Sequence, residues 1–164
     1  MNRVVIVGAG QTGRGFINRL LYLNHVDVVF LDIDDELVNR LNREKQYKIS
    51  FGSQMRESLI IDNYTAYTMD SNEGQQELKK AELIFISVGQ GNLSRVKDAL
   101  EQAKPFEKDS IDIITAENGV NVCRIFSDMN LGTSFLTSEA IVFCTTLGDK
   151  GSLDIVSENL DHLP

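Results

Sequence analysis

The chain has 164 residues, 42% of them hydrophobic, which is enough to bury one sizeable core but hardly two independent domains. Its formal charge is -8, so electrostatics gives no reason to expect nucleic acid or an anionic membrane surface as a partner. Together these numbers favour a single domain with a small-molecule site.

In chain order, the hydrophobic pattern first predicts two strand-helix units. Residues 3–7 form a short β-branched apolar run, which is typical of a strand buried on both faces of a parallel sheet. Apolar residues at helical spacing predict a helix from Gly13 to about Leu23. A second apolar strand covers 27–32, and the leading acids and trailing bases of 34–45 suit a second helix.

Residues 46–68 interrupt this alternation of strands and helices. Two runs of alternating apolar and polar residues lie on either side of the turn-like sequence GSQMRE, as in half-exposed antiparallel strands. The pattern therefore predicts a β-hairpin inserted into the main fold around 46–68.

The alternation resumes after the insertion and continues almost to the end. The pattern predicts a helix, a strand, a helix and a strand at 72–81, 82–88, 93–103 and 110–116. A short helix and two strand-like stretches complete the chain at 120–128, 139–146 and 152–157. The expected fold class is α/β, a Rossmann-type doubly wound and mainly parallel sheet in one domain, 1–164.

The turn between the first strand and the first helix contains a glycine motif with the spacing G-x-G-x-x-G. The first glycine permits a tight turn, the second lets the backbone approach a pyrophosphate, and the third lets the helix pack closely on the strand. Phosphates at this position contact N–H groups of the helix N-terminus. The predicted phosphate-binding residues are therefore Gly8, Ala9, Gly10, Gln11, Thr12 and Gly13.

An acid after the second strand favours cofactor binding over a turn that serves only the fold. Asp32 lies 19 positions after Gly13, where a carboxylate can accept hydrogen bonds from the ribose hydroxyls of adenosine. Further acids follow at 34–36, and no arginine occurs before Arg40 to neutralise the 2′-phosphate of NADP. The predicted cofactor is therefore NAD.

Other candidate residues fall near the same edge of the sheet. Arg14 follows the third glycine and either reaches a phosphate or is a solvated helix residue. Val88 and Gly89 follow the fourth long strand, where they either leave room for the cofactor or form an ordinary turn. Asn118 offers a donor and an acceptor at the next strand end, although Asn-Gly is also a common turn pair. Glu117 leaves the same two possibilities open.

The cysteines and histidines suggest no further chemistry. Cys123 and Cys144 lie outside any CxxC or Cys/His cluster, so they are predicted to be buried thiols, with no metal site. His25 and His162 have no partner set in view and are interpreted as loop residues. Met1 leads into the first strand without signal-peptide features, and no apolar run reaches membrane-spanning length, so we expect a cytoplasmic protein.

The motifs GAGQTGRGF, VVFLDID, ISVG and TAENG occur in the order seen in the mannitol dehydrogenase family, which this chain resembles along essentially its whole length. The fourth glycine, the inserted hairpin and the ENG segment carry this resemblance. It implies an N-terminal Rossmann domain that binds NAD and a mostly helical C-terminal domain that completes the substrate site. It also implies that Asn118 lies close to the reacting centre.

The chain departs from the family at the catalytic lysine, which belongs to a K-x5-N-x2-H pattern in the C-terminal domain. Asn159 and His162 have the N-x2-H spacing, but Leu153 occupies the lysine position. The resemblance thus implies the NAD-binding domain of a metal-independent polyol or polyol-phosphate dehydrogenase, lacking the catalytic domain and inactive alone. The parent enzyme would transfer a hydride between NAD(H) and a hexitol or ketose.

Two other classes of protein remain open from the sequence. A nucleotide-sensing regulatory domain of the potassium-transport type also pairs a glycine turn with an acid after the second strand, but we do not expect the hairpin or TAENG in it. A ketopantoate-reductase-like oxidoreductase shares the early turn and a late NG pair but usually uses NADP. A gene that continues past Pro164 into a long helical extension would favour the dehydrogenase.

Overall fold

Strands alternate with helices along most of the chain in the computed structural model, which describes residues 3–52, 57–149 and 151–160. The strands are β1 Val4–Val7, β2 Val28–Asp32, β3 Tyr47–Phe51, β4 Glu57–Ile61, β5 Tyr64–Thr68, β6 Leu83–Ile86, β7 Ser110–Thr115, β8 Ser134–Glu139, β9 Thr146–Gly148 and β10 Ile155–Ser157. The α-helices are α1 Asn18–Leu23, α2 Asp35–Glu44, α3 Asn72–Lys79 and α4 Leu93–Ala103. A π-helical turn, Gly13–Ile17, leads directly into α1, and short 3₁₀ helices cover Gln90–Asn92 and Val122–Phe126.

The larger sheet has six strands in the order β5-β2-β1-β6-β7-β8, and every neighbouring pair is parallel. β1 pairs with β2 on one side and with β6 on the other, so the direction of the strand order reverses at β1. In open parallel sheets, ligands bind beyond the carboxyl ends of the strands at this point of reversal. The predicted α/β class with a doubly wound parallel sheet is confirmed.

Two hydrophobic cores lie on opposite faces of this sheet. Val5 of β1 faces the core that contains Leu100 of α4. Ile6, the next residue, faces the core that contains Phe16 of the π-helical turn and Leu41 of α2. Because both faces of β1 are covered, each of its positions is apolar, and the strand is a continuous hydrophobic run.

The smaller sheet, β4-β3-β10-β9, joins the predicted hairpin to the last strand of the chain. β3 and β4 are antiparallel, which confirms a hairpin over 47–61, although most of its turn, 53–56, lies outside the described residues. The predicted hairpin range extends to residue 68, but β5 is not part of the hairpin. It pairs in parallel with β2 at the edge of the larger sheet. An edge strand is partly exposed, so it alternates apolar and polar residues as a hairpin strand does.

Two predicted elements in the last third of the chain also differ from the structure. The strand expected at 139–146 is wrong, because residues 140–145 form no strand and belong to neither sheet. Val142 and Cys144 are buried while their neighbours are exposed, so burial alternates here without strand pairing. The helix expected around 120–128 is a shorter 3₁₀ helix.

Buried polar groups connect the hairpin to the first helix. The Asn18 amide donates to the Tyr47 hydroxyl at 3.0 Å, and that hydroxyl donates to the backbone carbonyl of Arg14 at 3.0 Å. Asn63, just before β5, exchanges two 3.2 Å hydrogen bonds with Asn18. Burial raises the pKa of the Tyr47 hydroxyl, which keeps it protonated as a donor.

The end of the described chain is attached to the same helix. Arg19 is fully buried and donates to the carbonyls of Glu158, at 2.7 Å, and of Leu160. A Cβ atom on Gly15 would lie 2.6 Å from a methyl carbon of Ile155 in β10. β10 therefore packs against the helix only because residue 15 has no side chain.

We predict that Gly15→Val lowers the free energy of unfolding by about 2 kcal/mol, because the added carbons must displace β10. Urea unfolding followed by circular dichroism measures this loss. Gly151→Val is the matched control, since a Cβ atom at Gly151 meets no atom within 4 Å. Equal unfolding midpoints for the two variants would contradict the packing described for Gly15.

Candidate functional site

A cleft of about 780 Å³ opens beyond the carboxyl ends of the central parallel strands. It lies where the strand order reverses, between the turn after β1 and the loop after β6. The residues predicted for cofactor binding that line this cleft are Gly8, Gly10, Gln11, Thr12, Asp32, Val88, Gly89 and Asn118. The structure thus gathers residues from four strand ends, far apart in sequence, around one space.

Two of the motif glycines make backbone contacts that no side chain allows. Gly8 has a φ of 101°, and a Cβ atom there would lie 2.0 Å from the carbonyl oxygen of Ser87. A Cβ atom on Gly13 would lie 2.1 Å from the carbonyl oxygen of Gly8. The turn therefore touches both the neighbouring loop and its own helix through bare backbone.

Gly10 differs from these two glycines because its surroundings are open. A Cβ atom at Gly10 would meet nothing within 4 Å, and the residue is exposed at the cleft. The fold itself does not require glycine here. The absent side chain leaves space directly at the helix N-terminus, where backbone N–H groups favour phosphate oxygens.

The Asp32 carboxylate is fixed beside this turn by two backbone donors. The Ala9 N–H donates to one carboxylate oxygen at 2.7 Å, and the Asp34 N–H donates to the other at 3.0 Å. Asp34 in turn caps α2, because its side chain accepts from the N–H groups of Glu36 and Leu37. Each Asp32 oxygen keeps further lone-pair capacity for donors that enter the cleft.

Arg14 and two turn residues lie behind the cleft instead of lining it. The Arg14 guanidinium is buried, donates to the Ala9 carbonyl at 2.5 Å, and lies 5.8 Å from the centre of the Tyr47 ring. Burial lowers its pKa. The side chain is thus neither solvated nor directed at the cleft. Ala9 and Gly13, which belong to the turn itself, are also buried.

The loop after β6 is held by a carboxylate from the next strand end. Glu117 is 9% exposed, and its Oε1 accepts from the N–H groups of Val88 at 2.6 Å and Gly89 at 2.7 Å. The Gln90 side-chain amide donates to the backbone carbonyl of Asn118 at 2.8 Å. These three bonds join the loops after β6 and β7 into one wall of the cleft.

The sequence did not reveal several residues that line the same cleft. Gln90 and Arg95 come from the segment after β6, and Arg95 forms a 2.5 Å ion pair with Asp70. Val142 and Cys144 come from the segment between β8 and β9. No motif marks this segment, and only its alternation of exposed and buried positions indicates that one side faces the interior.

Of the remaining polar candidates, His25 and Cys123 do not line the cleft, whereas Cys144 does. His25 is an exposed residue with a φ of 57° in the turn after α1, and His162 lies outside the described residues. Cys123 is half-buried, so the prediction that both thiols are buried holds only for Cys144. The described ranges contain no group of three His, Cys, Asp or Glu side chains placed to hold a metal ion. They also contain no helix that is long and apolar enough to cross a membrane.

The strand order of the larger sheet, the glycine turn after β1 and the acid at the end of β2 together define a domain of the Rossmann class. The chain belongs to the mannitol dehydrogenase family, because residues 2–149 match the model of the mannitol dehydrogenase Rossmann domain. The resemblance predicted from the sequence motifs is therefore confirmed.

Curated relatives in this family are mannitol-1-phosphate 5-dehydrogenases. The Mycoplasmopsis pulmonis protein is 30% identical over 154 residues, which are 93% of this chain and 42% of that protein. The Neurospora crassa protein is 34% identical over 126 residues, which are 72% of this chain and 31% of that protein. The chain thus spans less than half the length of these relatives.

A solved structure of similar fold is D-mandelate dehydrogenase with NADH and anilino(oxo)acetate. It has a TM-score of 0.68 at 15% identity, over 94% of this chain and 44% of that one. The TrkA-N domain of the inner membrane protein ybaL from Escherichia coli has a TM-score of 0.54 at 16% identity, over 84% and 87% of the two chains. At such identities the likeness shows the fold alone. The family match, not the fold, favours a dehydrogenase over a regulatory domain.

We predict opposite outcomes for alanine at two glycines of the same turn. Gly13→Ala should lower the free energy of unfolding by about 3 kcal/mol, because its Cβ atom must push a backbone carbonyl away. Gly10→Ala should change it by less than about 0.5 kcal/mol, because the space is open. Thermal and urea unfolding of the two variants make the comparison. A Gly10→Ala variant as unstable as Gly13→Ala would refute the assignment of open space.

Proposed function

We propose that this chain is the NAD(H)-binding domain of a polyol or polyol-phosphate dehydrogenase, similar to mannitol-1-phosphate 5-dehydrogenase. The observation that carries this proposal is the Asp32 carboxylate, fixed by Ala9 and Asp34 beside the open space at Gly10. This pair of features supplies the two contacts that an adenosine diphosphate moiety needs, one for its ribose and one for its pyrophosphate.

Asp32 is suited to the adenosine ribose because its orientation is set before any ligand enters. The two backbone N–H groups that it binds fix both carboxylate oxygens. The carboxylate can then accept from the 2′- and 3′-hydroxyls without losing rotamer freedom on binding. Preorganisation of this kind raises affinity without adding contacts.

The phosphate half of the proposal rests on the turn and on the charge beneath it. The proposed contacts to the pyrophosphate are backbone groups of Gly10, Gln11 and Thr12, which line the cleft. Arg14 would act from behind the turn, where its buried guanidinium holds the Ala9 carbonyl and places a positive charge under the phosphates. In a medium of low polarity such a charge is screened less than a surface charge.

The other end of the dinucleotide would extend toward the loops after β6 and β7. A ligand with its adenosine at Asp32 and its phosphates at Gly10 has its nicotinamide toward Val88, Gly89 and Asn118, because these residues continue the same cleft. Asn118 keeps the substrate-proximal role that the family resemblance implies. Its side-chain amide supplies both a donor and an acceptor for a reacting oxygen.

When bound, the nicotinamide supplies hydride transfer to or from a carbon of a hexitol or ketose. The protein residues of this chain bind the dinucleotide, orient it and line the space beside it. The family's lysine pattern, K-x5-N-x2-H, does not occur in residues 1–164. We propose that the proton acceptor and the small-molecule polyol or sugar-phosphate site belong to the family's C-terminal domain, and that the enzyme acts in cytoplasmic polyol metabolism.

We predict that the chain binds NADH roughly a hundredfold more tightly than NADPH, since a 2′-phosphate beside Asp32 costs a few kcal/mol of repulsion. Arg40 and Arg95 give little relief from this repulsion, because Arg40 pairs with Glu36 and Arg95 pairs with Asp70. Titration of the protein with both nucleotides at one moderate salt concentration measures the ratio. Gly10→Val, which fills the phosphate space, is the non-binding control.

The same titration with Asp32→Ser tests the cause of the preference. Serine removes the charge, so the gap between NADH and NADPH should narrow, mainly through weaker NADH binding. NADPH binding equal to or tighter than NADH binding in the unchanged protein would sink the NAD assignment. It would then favour the ketopantoate-reductase-like alternative.

We predict that the isolated chain binds NADH yet oxidises neither mannitol nor mannitol 1-phosphate, because it lacks the proposed proton acceptor. The measurement is the absorbance of NADH formed from added NAD⁺, at high enzyme concentration and with each polyol supplied in excess. Turnover above a Gly10→Val control would show that residues 1–164 contain a complete active site.

A further inference from the structure

The strongest feature that the proposed function leaves unused is the buried carboxylate of Glu117. It accepts two short hydrogen bonds on a single oxygen, from the consecutive N–H groups of Val88 and Gly89. Bonds from N–H groups to an ionised carboxylate are stronger than those between neutral groups. Glu117 therefore ties the loop after β6 to the end of β7.

This loop is also tied to the phosphate turn on its other side. The Ser87 N–H donates to the Val7 carbonyl at 2.8 Å, and the Ser87 carbonyl occupies the space left by the missing side chain of Gly8. Gly89 has a φ of 79°, which favours glycine, and its N–H is one of the two donors to Glu117. The loop is thus fixed at both ends, by backbone contacts at the turn and by Glu117 at β7.

The rest of the loop satisfies its own polar groups. The Asn92 side chain donates to the Val88 carbonyl at 2.7 Å, and the Asn92 N–H donates to the Gly89 carbonyl at 3.0 Å. Asn118 is held through its backbone carbonyl by Gln90. In the described part of the chain its side-chain amide has no protein partner, and it lies at the cleft.

We propose that Glu117 is the positioning residue of the nicotinamide half of the cleft. Its carboxylate keeps the Val88–Gly89 wall in place and, being the residue before Asn118, sets where the Asn118 amide stands. This inference rests on the proposed function, because it assumes that the dinucleotide extends from Asp32 toward these loops. Among the described residues, Glu117 accepts hydrogen bonds from Val88 and Gly89 and not from the phosphate turn, so we expect its effect to fall mainly on one half of the ligand.

Titrations with ADP and NADH test this division, because ADP reaches only the turn and Asp32. We expect Glu117→Ala to weaken NADH binding roughly tenfold and ADP binding less than about twofold. Glu117→Gln, whose neutral amide oxygen can accept the same two bonds more weakly, should recover part of the loss and still bind NADH more weakly than the unaltered chain. Glu139→Ala is the matched control, because Glu139 also accepts from a backbone N–H, that of Cys123, but lies outside the cleft.

Amide hydrogen exchange at Val88 and Gly89, followed by NMR, gives a second readout. Exchange should be fastest in Glu117→Ala, intermediate in Glu117→Gln and unchanged in Glu139→Ala. If Glu117→Ala does not fold, the test rests on Glu117→Gln. A loss of NADH affinity without a loss of ADP affinity, together with faster exchange at these two amides, would then support the proposal.

Unchanged NADH affinity in a folded Glu117→Ala protein, or equal losses of ADP and NADH, would overturn the proposal. If only Glu117→Gln can be studied, unchanged NADH affinity together with unchanged exchange at Val88 and Gly89 would also overturn the proposal. Failure of the unaltered chain to bind either nucleotide is a separate result, which would count against the proposed NAD site and not against the loop contacts.

Discussion

The close approach of Gly13 to the Gly8 carbonyl is the constraint on which the rest of the site depends. It sets the distance between the first helix and β1, and so the position of the helix N-terminus over the end of the sheet. Gly8 in turn lets the loop after β6 approach, because the Ser87 carbonyl lies where a side chain would be. Two glycines in one turn therefore bring two strand ends and one helix end to the edge of a single cleft.

Two carboxylates held by backbone N–H groups lie along the cleft, one on each side of this turn. Asp32 is fixed by Ala9 and Asp34 on one side, and Glu117 binds Val88 and Gly89 on the other. Each acid satisfies backbone donors that would otherwise be unpaired at the end of the sheet. The wall of the cleft is thus built before any ligand arrives, which reduces the entropy lost on binding.

The sequence predicted the four central parallel strands β1, β2, β6 and β7, the glycine turn and the place of Asp32 at a strand end, because each depends on local spacing or on burial from both sides. It did not predict β8, the edge strand on the other side of the sheet. It did not separate β5 from the hairpin, because an edge strand and a hairpin strand have the same alternation. It left Arg14 between a phosphate contact and a surface role, whereas the structure buries that side chain against Ala9 and Tyr47. It also left Glu117 undecided, since its partners are backbone groups about thirty residues away, which no motif records.

The smaller sheet has a consequence for how the chain folds during synthesis. Its hairpin, β3 and β4, leaves the ribosome well before β9 and β10, which complete the sheet at the other end of the chain. Until then the free edge of β3 can pair with strands of other molecules, and contacts between such distant segments form slowly. A shortened protein that ends at residue 149 would keep every residue that matches the family model, yet it would lack β10 and keep that edge permanently open.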